Sequence, residues 1–160
     1  MELASRMENL SPSVTMAITA LARELKAQGR DILSFSAGEP DFNTPDVIKE
    51  AAITAIKEGH TKYTAVEGIT ETKQAIINKL KRDHGLNYEL GHIIISNGAK
   101  HSLFNLFQLL IQKGDEVIIP APYWVTYPEQ VKFSDGVPVF IDTDDSTNFK
   151  VTAEQIKAVI

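Results

Sequence analysis

Apolar residues recur along this chain with two different spacings, which divide the sequence into two parts. Up to about residue 85 they recur every three or four positions, the spacing of amphipathic helices. Beyond that point, short apolar runs such as Ile93-Ile94-Ile95 and Val117-Ile118-Ile119 alternate with helical stretches. Runs without polar alternation are typical of parallel strands covered on both faces. The second part therefore predicts an alternating βαβαβα order, which is the pattern of an α/β fold.

Glycines, prolines and capping residues place the boundaries of these elements. Gly29, Gly59 and Gly85 stand where helices are expected to end, and Thr44 before Pro45 predicts an N-cap followed by the first helical residue. The predicted helices are 11–29, with a possible later start at Ser13 or Thr15, then 45–59, 69–84, 98–111, 124–133 and 152–158, and the predicted strands are 32–35, 93–96, 116–119 and 137–141. We expect the last three strands to form one parallel sheet. Helix 98–111 is apolar nearly all round, which predicts that it is largely buried.

Two features at the carboxyl ends of the predicted strands indicate a ligand site. The strand 93–96 leads through Gly98 into a helix, and the start of a helix leaves backbone N–H groups and the positive end of its dipole open to an anion. Trp124 follows the next strand, and neighbouring parallel strands end at the same edge of a sheet. A phosphate seat beside a flat aromatic ring favours pyridoxal phosphate over a dinucleotide. The glycine-rich fingerprints of dinucleotide-binding domains and of nucleotide-phosphate loops are both absent.

Composition narrows the class of protein further. With 43% apolar and 23% charged residues, the chain falls in the globular range, and no stretch approaches the length of a membrane span. A net charge of -5 with scattered basic residues argues against a nucleic-acid partner. The absence of cysteine is compatible with a cytoplasmic protein, and the four histidines have no metal-ligand spacing. Thr152 and Gln155 have capping-box spacing, but no helix-ending signal precedes Ile160, so we expect the chain to be truncated.

The motifs together resemble the N-terminal part of a class I pyridoxal-phosphate-dependent aminotransferase, in the subgroup of bacterial aspartate and aspartate/prephenate aminotransferases. The resemblance is carried by six motifs in register, namely Ser36-Ala37-Gly38-Glu39-Pro40-Asp41-Phe42, Lys62-Tyr63-Thr64, Gly68-Ile69, Ser96-Asn97-Gly98-Ala99-Lys100, Gly114-Asp115-Glu116-Val117 and Pro122-Tyr123-Trp124. It implies a fold type I enzyme with a three-layer αβα large domain, here truncated. Residues 1–45 would be the N-terminal arm and helix of the small domain, and residues 46–160 the first part of the large cofactor-binding domain. The expected assembly is a homodimer.

The resemblance also implies a role for particular residues. The backbone amides of Gly98, Ala99 and Lys100 would hold the cofactor phosphate, Trp124 would stack on its ring and line the substrate site, and Tyr63 would reach the phosphate in the neighbouring subunit. Gly38 would lie beside the substrate α-carboxylate, and Ser13, Thr15 and Lys100 would receive the distal carboxylate of an acidic substrate. The substrates implied are an acidic amino acid and a 2-oxo acid. Ala99 departs from many relatives, which carry glycine or serine there.

The family's Schiff-base lysine, the aspartate that pairs with the pyridine nitrogen and the arginine that binds the α-carboxylate would all lie beyond Ile160. We therefore expect this segment to contain no catalytic residue and to be inactive alone. Two other interpretations remain open at this point. A lyase of the same fold would share much of this half, and a non-enzymatic truncated module would need neither cofactor nor substrate.

Each residue assignment also has a plainer reading. The turn at Gly98 occurs in every strand-to-helix connection, and a single tryptophan is often a packing residue. Ser13 and Thr15 are good helix caps, and Tyr63 would suit a subunit contact. Lys100 would usually be a solvated lysine, yet its charge is unfavourable at a helix start, which is a reason to expect an anion there.

Overall fold

A computed structural model describes residues 3–36 and 38–160. Met1 and Glu2 of the predicted arm lie outside the described residues, and so does Ala37 of the predicted Ser36–Phe42 motif. The chain divides into two compact units. The first unit consists of Met1–Ile18 with Asn97–Ile160, and the second is Thr19–Ser96. No described helix is long and apolar enough to cross a membrane.

The helices predicted in the first half of the chain are confirmed. They are α1 (Val14–Ala27), α2 (Asp46–Lys57) and α3 (Thr70–His84). Helix α1 starts after Ser13, whose hydroxyl accepts the Met16 N–H at 3.3 Å. Of the predicted starts at Ser11, Ser13 and Thr15, the one at Ser13 is therefore observed. Helix α3 ends at Gly85, which has the left-handed backbone (φ 68) that glycine adopts without steric cost.

The predicted start of the second helix was wrong by one residue. Pro45, and not Thr44, is the N-cap of α2, because its backbone is still extended (ψ 141). Its carbonyl accepts the backbone N–H groups of Ile48 and Lys49 at 3.0 and 3.2 Å, which is what an N-cap carbonyl does. Asp46 is then the first helical residue, where its charge complements the helix dipole.

The first unit is built around two parallel strands joined by a helix. Its elements are α4 (Ala99–Leu110), β1 (Glu116–Ala121), α5 (Thr126–Phe133), β2 (Val137–Asp142) and α6 (Ala153–Lys157). The strands pair in parallel from Glu116 opposite Val137 to Ala121 opposite Asp142. Val131 of α5 is fully buried against them, and Ile119 and Ile141 are 5% exposed, so the core lies between α5 and the sheet. The predicted capping box of Thr152 and Gln155 is present at the start of α6.

Two predicted strands do not form, and the three-stranded sheet was therefore a wrong prediction. Residues 93–96 have no sheet partner among the described residues. Ile95 instead donates its N–H to the Glu67 carbonyl at 3.0 Å, a single bond where a strand needs a ladder. This close approach requires glycine at Gly68 (φ 101), because a Cβ there would lie 2.5 Å from Ile95 Cγ1. Residues 32–35 likewise lack a partner strand within the described chain.

The predicted burial of the helix over 98–111 was also wrong. Leu106, Leu109 and Leu110 of α4 are 45%, 79% and 65% exposed. Helix α4 packs on α5 along one side, where the Phe104 and Phe133 rings lie 5.7 Å apart. A helix that is apolar on every side can be covered completely only by neighbours on every side, and within the described residues α5 covers one of them.

We expect Asp144 to titrate below its ordinary range. Its carboxylate accepts hydrogen bonds from the hydroxyl and then the backbone N–H of Ser146, and these lower the pKa of Asp144 from 3.8. A lowered folded-state pKa means that the stabilisation is present above the unfolded pKa and is lost as the pH falls through the folded one. In the Ser146→Ala variant the pKa of Asp144 should rise toward 3.8. An NMR titration that follows the chemical shift of the Asp144 carboxyl carbon measures this change. Equal midpoints in the two proteins would contradict the hydroxyl's role.

Candidate functional site

The start of α4 presents a set of backbone N–H groups that no helical bond uses. The first helical bonds are donated by His101 and Ser102 to the Gly98 carbonyl, at 3.1 and 3.3 Å. The N–H groups of Gly98, Ala99 and Lys100 come before these bonds, at the positive end of the helix dipole. A Cβ added to Gly98 would have nothing within 4 Å, so the space beside this turn is open. The arrangement can bind an anion through three main-chain donors.

His101 fixes the edge of this turn, and the sequence did not indicate it. Its Nδ1 accepts the backbone N–H of Asn97 at 3.1 Å, which assigns the ring proton to Nε2. His101 lies three residues after the N-cap Gly98, the position from which a side chain commonly reaches back over a helix start. That spacing is the signal that would have found it. With the Asn97 amide occupied, the three N–H groups from Gly98 to Lys100 define the anion seat.

Trp124 faces the same opening as this turn. The residue is 45% exposed, and together with the start of α4 it lines a cavity of about 330 Å³. The residues that line this cavity are Asn97, Gly98, Ala99, Lys100, Trp124 and Tyr127. The structure therefore brings the predicted anion seat and the predicted ring platform together. Tyr127 was not predicted, although its position three residues after Trp124 at the start of α5 places it on the same side of the chain.

The ammonium group of Lys100 lies over the indole. Lys100 Nζ is 5.0 Å from the centroid of the Trp124 ring, within the range of a cation–π contact. Such a contact contributes about 0.5–1 kcal/mol at an exposed site. A contact this weak does not prevent the ammonium group from binding a carboxylate instead. Lys100 thus contributes to the cavity both its backbone amide and its side chain.

Ser13 lines a second cavity of the first unit, of about 390 Å³. Tyr123 and Val125, which flank Trp124 in the chain, line this cavity as well, together with Glu129 of α5. The Ser13 hydroxyl caps α1, so the prediction that Ser13 is a helix-capping residue is confirmed. Thr15 is half-buried in the first turn of the same helix.

Gly38 and Tyr63 belong to the second unit. Gly38 is exposed, and a Cβ added to it would have nothing within 4 Å. Tyr63 is fully exposed. It lines a cavity of about 580 Å³ together with residues that include His60 and Lys62. A tyrosine this accessible is available to a ligand or to another chain. No group of three or more metal-ligating side chains occurs in the part of the chain that the structure describes.

A parallel α/β core with a helix start and a tryptophan lining one cavity is an arrangement typical of folds that bind a phosphate-bearing cofactor. The family model for class I and II aminotransferases matches residues 30–160, and the chain belongs to this family. The family and the predicted fold class are thereby confirmed, because solved aminotransferases have the same fold. Pyridoxal phosphate is the cofactor of this family.

Relatives with known names agree with the family assignment. The chain is 56% identical to an aspartate aminotransferase of Bacillus sp. strain YM-2 over 99% of its own length and 40% of the relative's. It is 52% identical to an aspartate/prephenate aminotransferase of Nitrosomonas europaea, over 100% and 40% respectively. Its structure resembles the Thermus thermophilus aspartate aminotransferase solved with maleate, with a TM-score of 0.94 and 42% identity over 100% of this chain and 42% of that one. The chain thus spans about two fifths of the length of these relatives.

Proposed function

We propose that a full-length protein carrying this segment is an aminotransferase that moves an amino group between an acidic amino acid and a 2-oxo acid, with pyridoxal phosphate as cofactor. The observation that carries this proposal is one cavity that joins the N–H groups of Gly98, Ala99 and Lys100 to the indole of Trp124. An anion-binding turn and an aromatic ring that line the same cavity suit a ligand with one phosphate and one planar ring. The family membership supports the same cofactor.

The residues present fit pyridoxal phosphate. The cavity, at about 330 Å³, lies at the lower end of the range of roughly 300–1,000 Å³ for small-molecule sites, which suits a single ring and not a dinucleotide. Because the donors at the start of α4 are main-chain groups, Ala99 can donate its N–H as a glycine or serine would, but it lacks the hydroxyl of a serine. Open space beside Gly98 leaves room for phosphate oxygens.

When bound, pyridoxal phosphate supplies an electron sink for the bond changes at the amino-acid α-carbon. The residues of this chain then bind and orient. Main-chain donors at Gly98, Ala99 and Lys100 would hold the phosphate, and Trp124 would fix the plane of the ring and exclude water from one of its faces. That this segment contains no catalytic residue remains a prediction.

Acidic substrates are favoured by the cations and hydroxyls assigned to the site. Lys100 would exchange its contact with Trp124 for the distal carboxylate of the substrate, with Ser13 and Thr15 as hydroxyl partners and Gly38 beside the α-carboxylate. Two observations support this choice. The Thermus thermophilus relative was solved with maleate, a dicarboxylate, and the relatives named above act on aspartate or on aspartate and prephenate by name.

We further propose a homodimer in which Tyr63 reaches the phosphate held by the neighbouring subunit. Its full exposure supports this role. The division into an N-terminal arm and helix (1–45) and a cofactor-binding domain (46–160) is likewise a proposal, since compactness alone does not define the family's domains.

The direct test uses the full-length protein. It should transfer the amino group from aspartate to 2-oxoglutarate when loaded with pyridoxal phosphate, with oxaloacetate and glutamate formed in equal amounts. Formation of ammonia in place of glutamate would replace the proposal by a lyase of the same fold. If the full-length protein did not bind pyridoxal phosphate, the proposed function would be wrong.

The Lys100→Ala variant should raise the KM for aspartate up to about 5-fold, because an exposed ion pair contributes about 0.2–1 kcal/mol. The KM for alanine, which has no distal carboxylate, should stay the same. Steady-state kinetics with the two amino acids measures the difference. An equal rise for both would remove Lys100 from substrate selection, and would assign its side chain to the indole alone.

A further inference from the structure

Glu129 joins two parts of the first unit that are far apart in the sequence. Its Oε2 accepts the backbone N–H of Ser11 at 2.8 Å, across a separation of 118 residues. Its Oε1 accepts the Lys132 ammonium at 3.0 Å, one turn further along α5. The Glu129 side chain is 27% exposed, so the carboxylate is partly withdrawn from solvent. A hydrogen bond from an N–H group to an ionised oxygen is among the stronger ones in proteins.

The segment that Glu129 holds has little freedom of its own. Ser11 is followed by Pro12, which has no N–H and which restricts the residue before it to extended backbone. Ser13 comes next and is bound to α1 through its cap on Met16. Residues 11–13 are therefore a short, stiff connection, fixed at one end by α1 and at the other by Glu129. Loss of the Glu129 contact would release the end that leads to Ser13.

The neighbouring residue on α5 holds the other side of the proposed site. Gln130 Nε2 donates to the Lys100 carbonyl at 2.9 Å, in the first turn of α4. Two consecutive residues of α5 thus fasten the segment with Ser13 and the turn with Lys100. These two segments supply groups proposed above to receive the distal carboxylate of the substrate. The spacing between them is therefore set from α5.

We infer that Glu129 is a positioning residue for recognition of the substrate's distal carboxylate, acting through the backbone of Ser11 and without touching the substrate. This inference rests on the proposed function. Glu129 keeps Ser13 at a fixed place relative to the loop that carries Trp124, since Ser13, Tyr123 and Val125 line one cavity with Glu129 at its wall. Lys132 binds the other carboxylate oxygen, Oε1, and leaves Oε2 to the Ser11 amide.

Three variants of the full-length protein separate the Ser11 contact from the rest of the Glu129 environment. Glu129→Leu removes the acceptor, Glu129→Gln keeps a neutral acceptor of the same shape, and Lys132→Met removes the ion-pair partner while the Ser11 contact remains. We expect Glu129→Leu to raise the KM for aspartate about 3- to 10-fold with kcat within twofold, because a displaced binding group weakens orientation. The KM for alanine should be unchanged, and Glu129→Gln and Lys132→Met should stay within twofold of the unaltered protein.

A fourth variant removes the same contact from the other side and leaves α5 intact. Ser11→Pro deletes the donor N–H and should reproduce the effect of Glu129→Leu on the KM for aspartate. This variant keeps the inference testable if Glu129→Leu does not fold. Equal changes in KM for aspartate and alanine, or no change for aspartate in either variant, would overturn the positioning role.

Hydrogen exchange of the Ser11 amide separates this inference from the proposed function, because it needs neither substrate nor activity. Exchange at Ser11 should be faster in Glu129→Leu than in the unaltered protein, and should be nearly unchanged in Lys132→Met. If the protein exchanges as expected but transfers no amino group, the proposed function fails while the contact stands. If Ser11 exchanges equally fast in Glu129→Leu and the unaltered protein, the contact does not restrain the segment and the inference is wrong.

Discussion

Replacing Trp124 with alanine in the full-length protein is expected to weaken cofactor binding about 10- to 100-fold, or about 1.4–2.8 kcal/mol. The indole is the largest of the side chains that line the cavity at the start of α4, and Trp124 is 45% exposed. Stacking of a planar heterocycle on an aromatic side chain contributes about 1–3 kcal/mol. Because the phosphate donors are main-chain groups, they remain in place in the variant. The loss therefore measures the ring platform alone.

Equilibrium dialysis with pyridoxamine 5'-phosphate measures this loss without any reaction, since the compound has the same ring and phosphate but forms no bond to a lysine. Trp124→Phe should recover most of the affinity, because it retains a planar ring. Tyr123→Leu is the matched control. Tyr123 is the adjacent aromatic, stacked on Phe140 at 4.9 Å and absent from the lining of this cavity, so its loss should leave the affinity unchanged. An affinity that is the same in Trp124→Ala and the unaltered protein would exclude the indole from the cofactor site.

The Gly98→Ala variant is expected to lose about 1–3 kcal/mol of stability and to weaken cofactor binding as well. Gly98 has φ 86 and ψ 168, a backbone conformation that is essentially restricted to glycine. An added methyl group meets no neighbour within 4 Å, so the cost comes from the backbone and not from a clash. To relieve the strain, the turn must rotate, and this rotation redirects the N–H groups of Gly98 and Ala99. The same change therefore affects the helix start and the anion seat.

Denaturant unfolding of the cofactor-free protein measures the first effect, and dialysis with inorganic phosphate and with pyridoxamine 5'-phosphate measures the second. Gly91→Ala is the matched control, because Gly91 also has open space for a Cβ but is not among the glycines with positive φ. Its stability should change by less than about 0.5 kcal/mol. If Gly98→Ala were as stable as Gly91→Ala and bound phosphate equally well, the conformation of Gly98 would not matter to the site.

Local sequence signals predicted the helices well, and they predicted the turn at Gly98 that leads into α4. Capping residues and left-handed glycines act within one turn of the chain, so Ser13, Gly85 and the capping box of Thr152 could be read directly. The juxtaposition of Gly98 and Trp124 could be predicted too, because parallel strands place their carboxyl ends at a common edge. Only one of the two strands that lead to these residues is formed, however. The cavity exists because α4 and the loop after β1 lie in the same compact unit.

The errors have a common cause. The runs 32–35 and 93–96 have the composition of strands, yet a strand exists only where a second backbone completes its ladder. In the same way, the apolar residues of α4 predicted burial, but exposure depends on how many neighbours surround the helix and not on its composition. Glu129, Gln130 and His101 were missed because single polar residues carry no periodic signal. Their partners, Ser11, Lys100 and Asn97, are either distant in the sequence or main-chain groups.

The sequence by itself determined approximately where the helices start and stop, which turn leads into α4, and which family the motifs resemble. These features depend on neighbours within a few residues or on ordered motifs along the chain. Tertiary structure alone decided that two strands pair in register, that Lys100 rests on the indole of Trp124, and that Glu129 binds the amide of Ser11. The paired strand residues are 21 positions apart, and Ser11 and Glu129 are 118 positions apart. Each of these contacts has to offset the entropy lost when the chain between the two residues closes into a loop. No local preference encodes such a contact, because its energy depends on the packing that brings the two groups together.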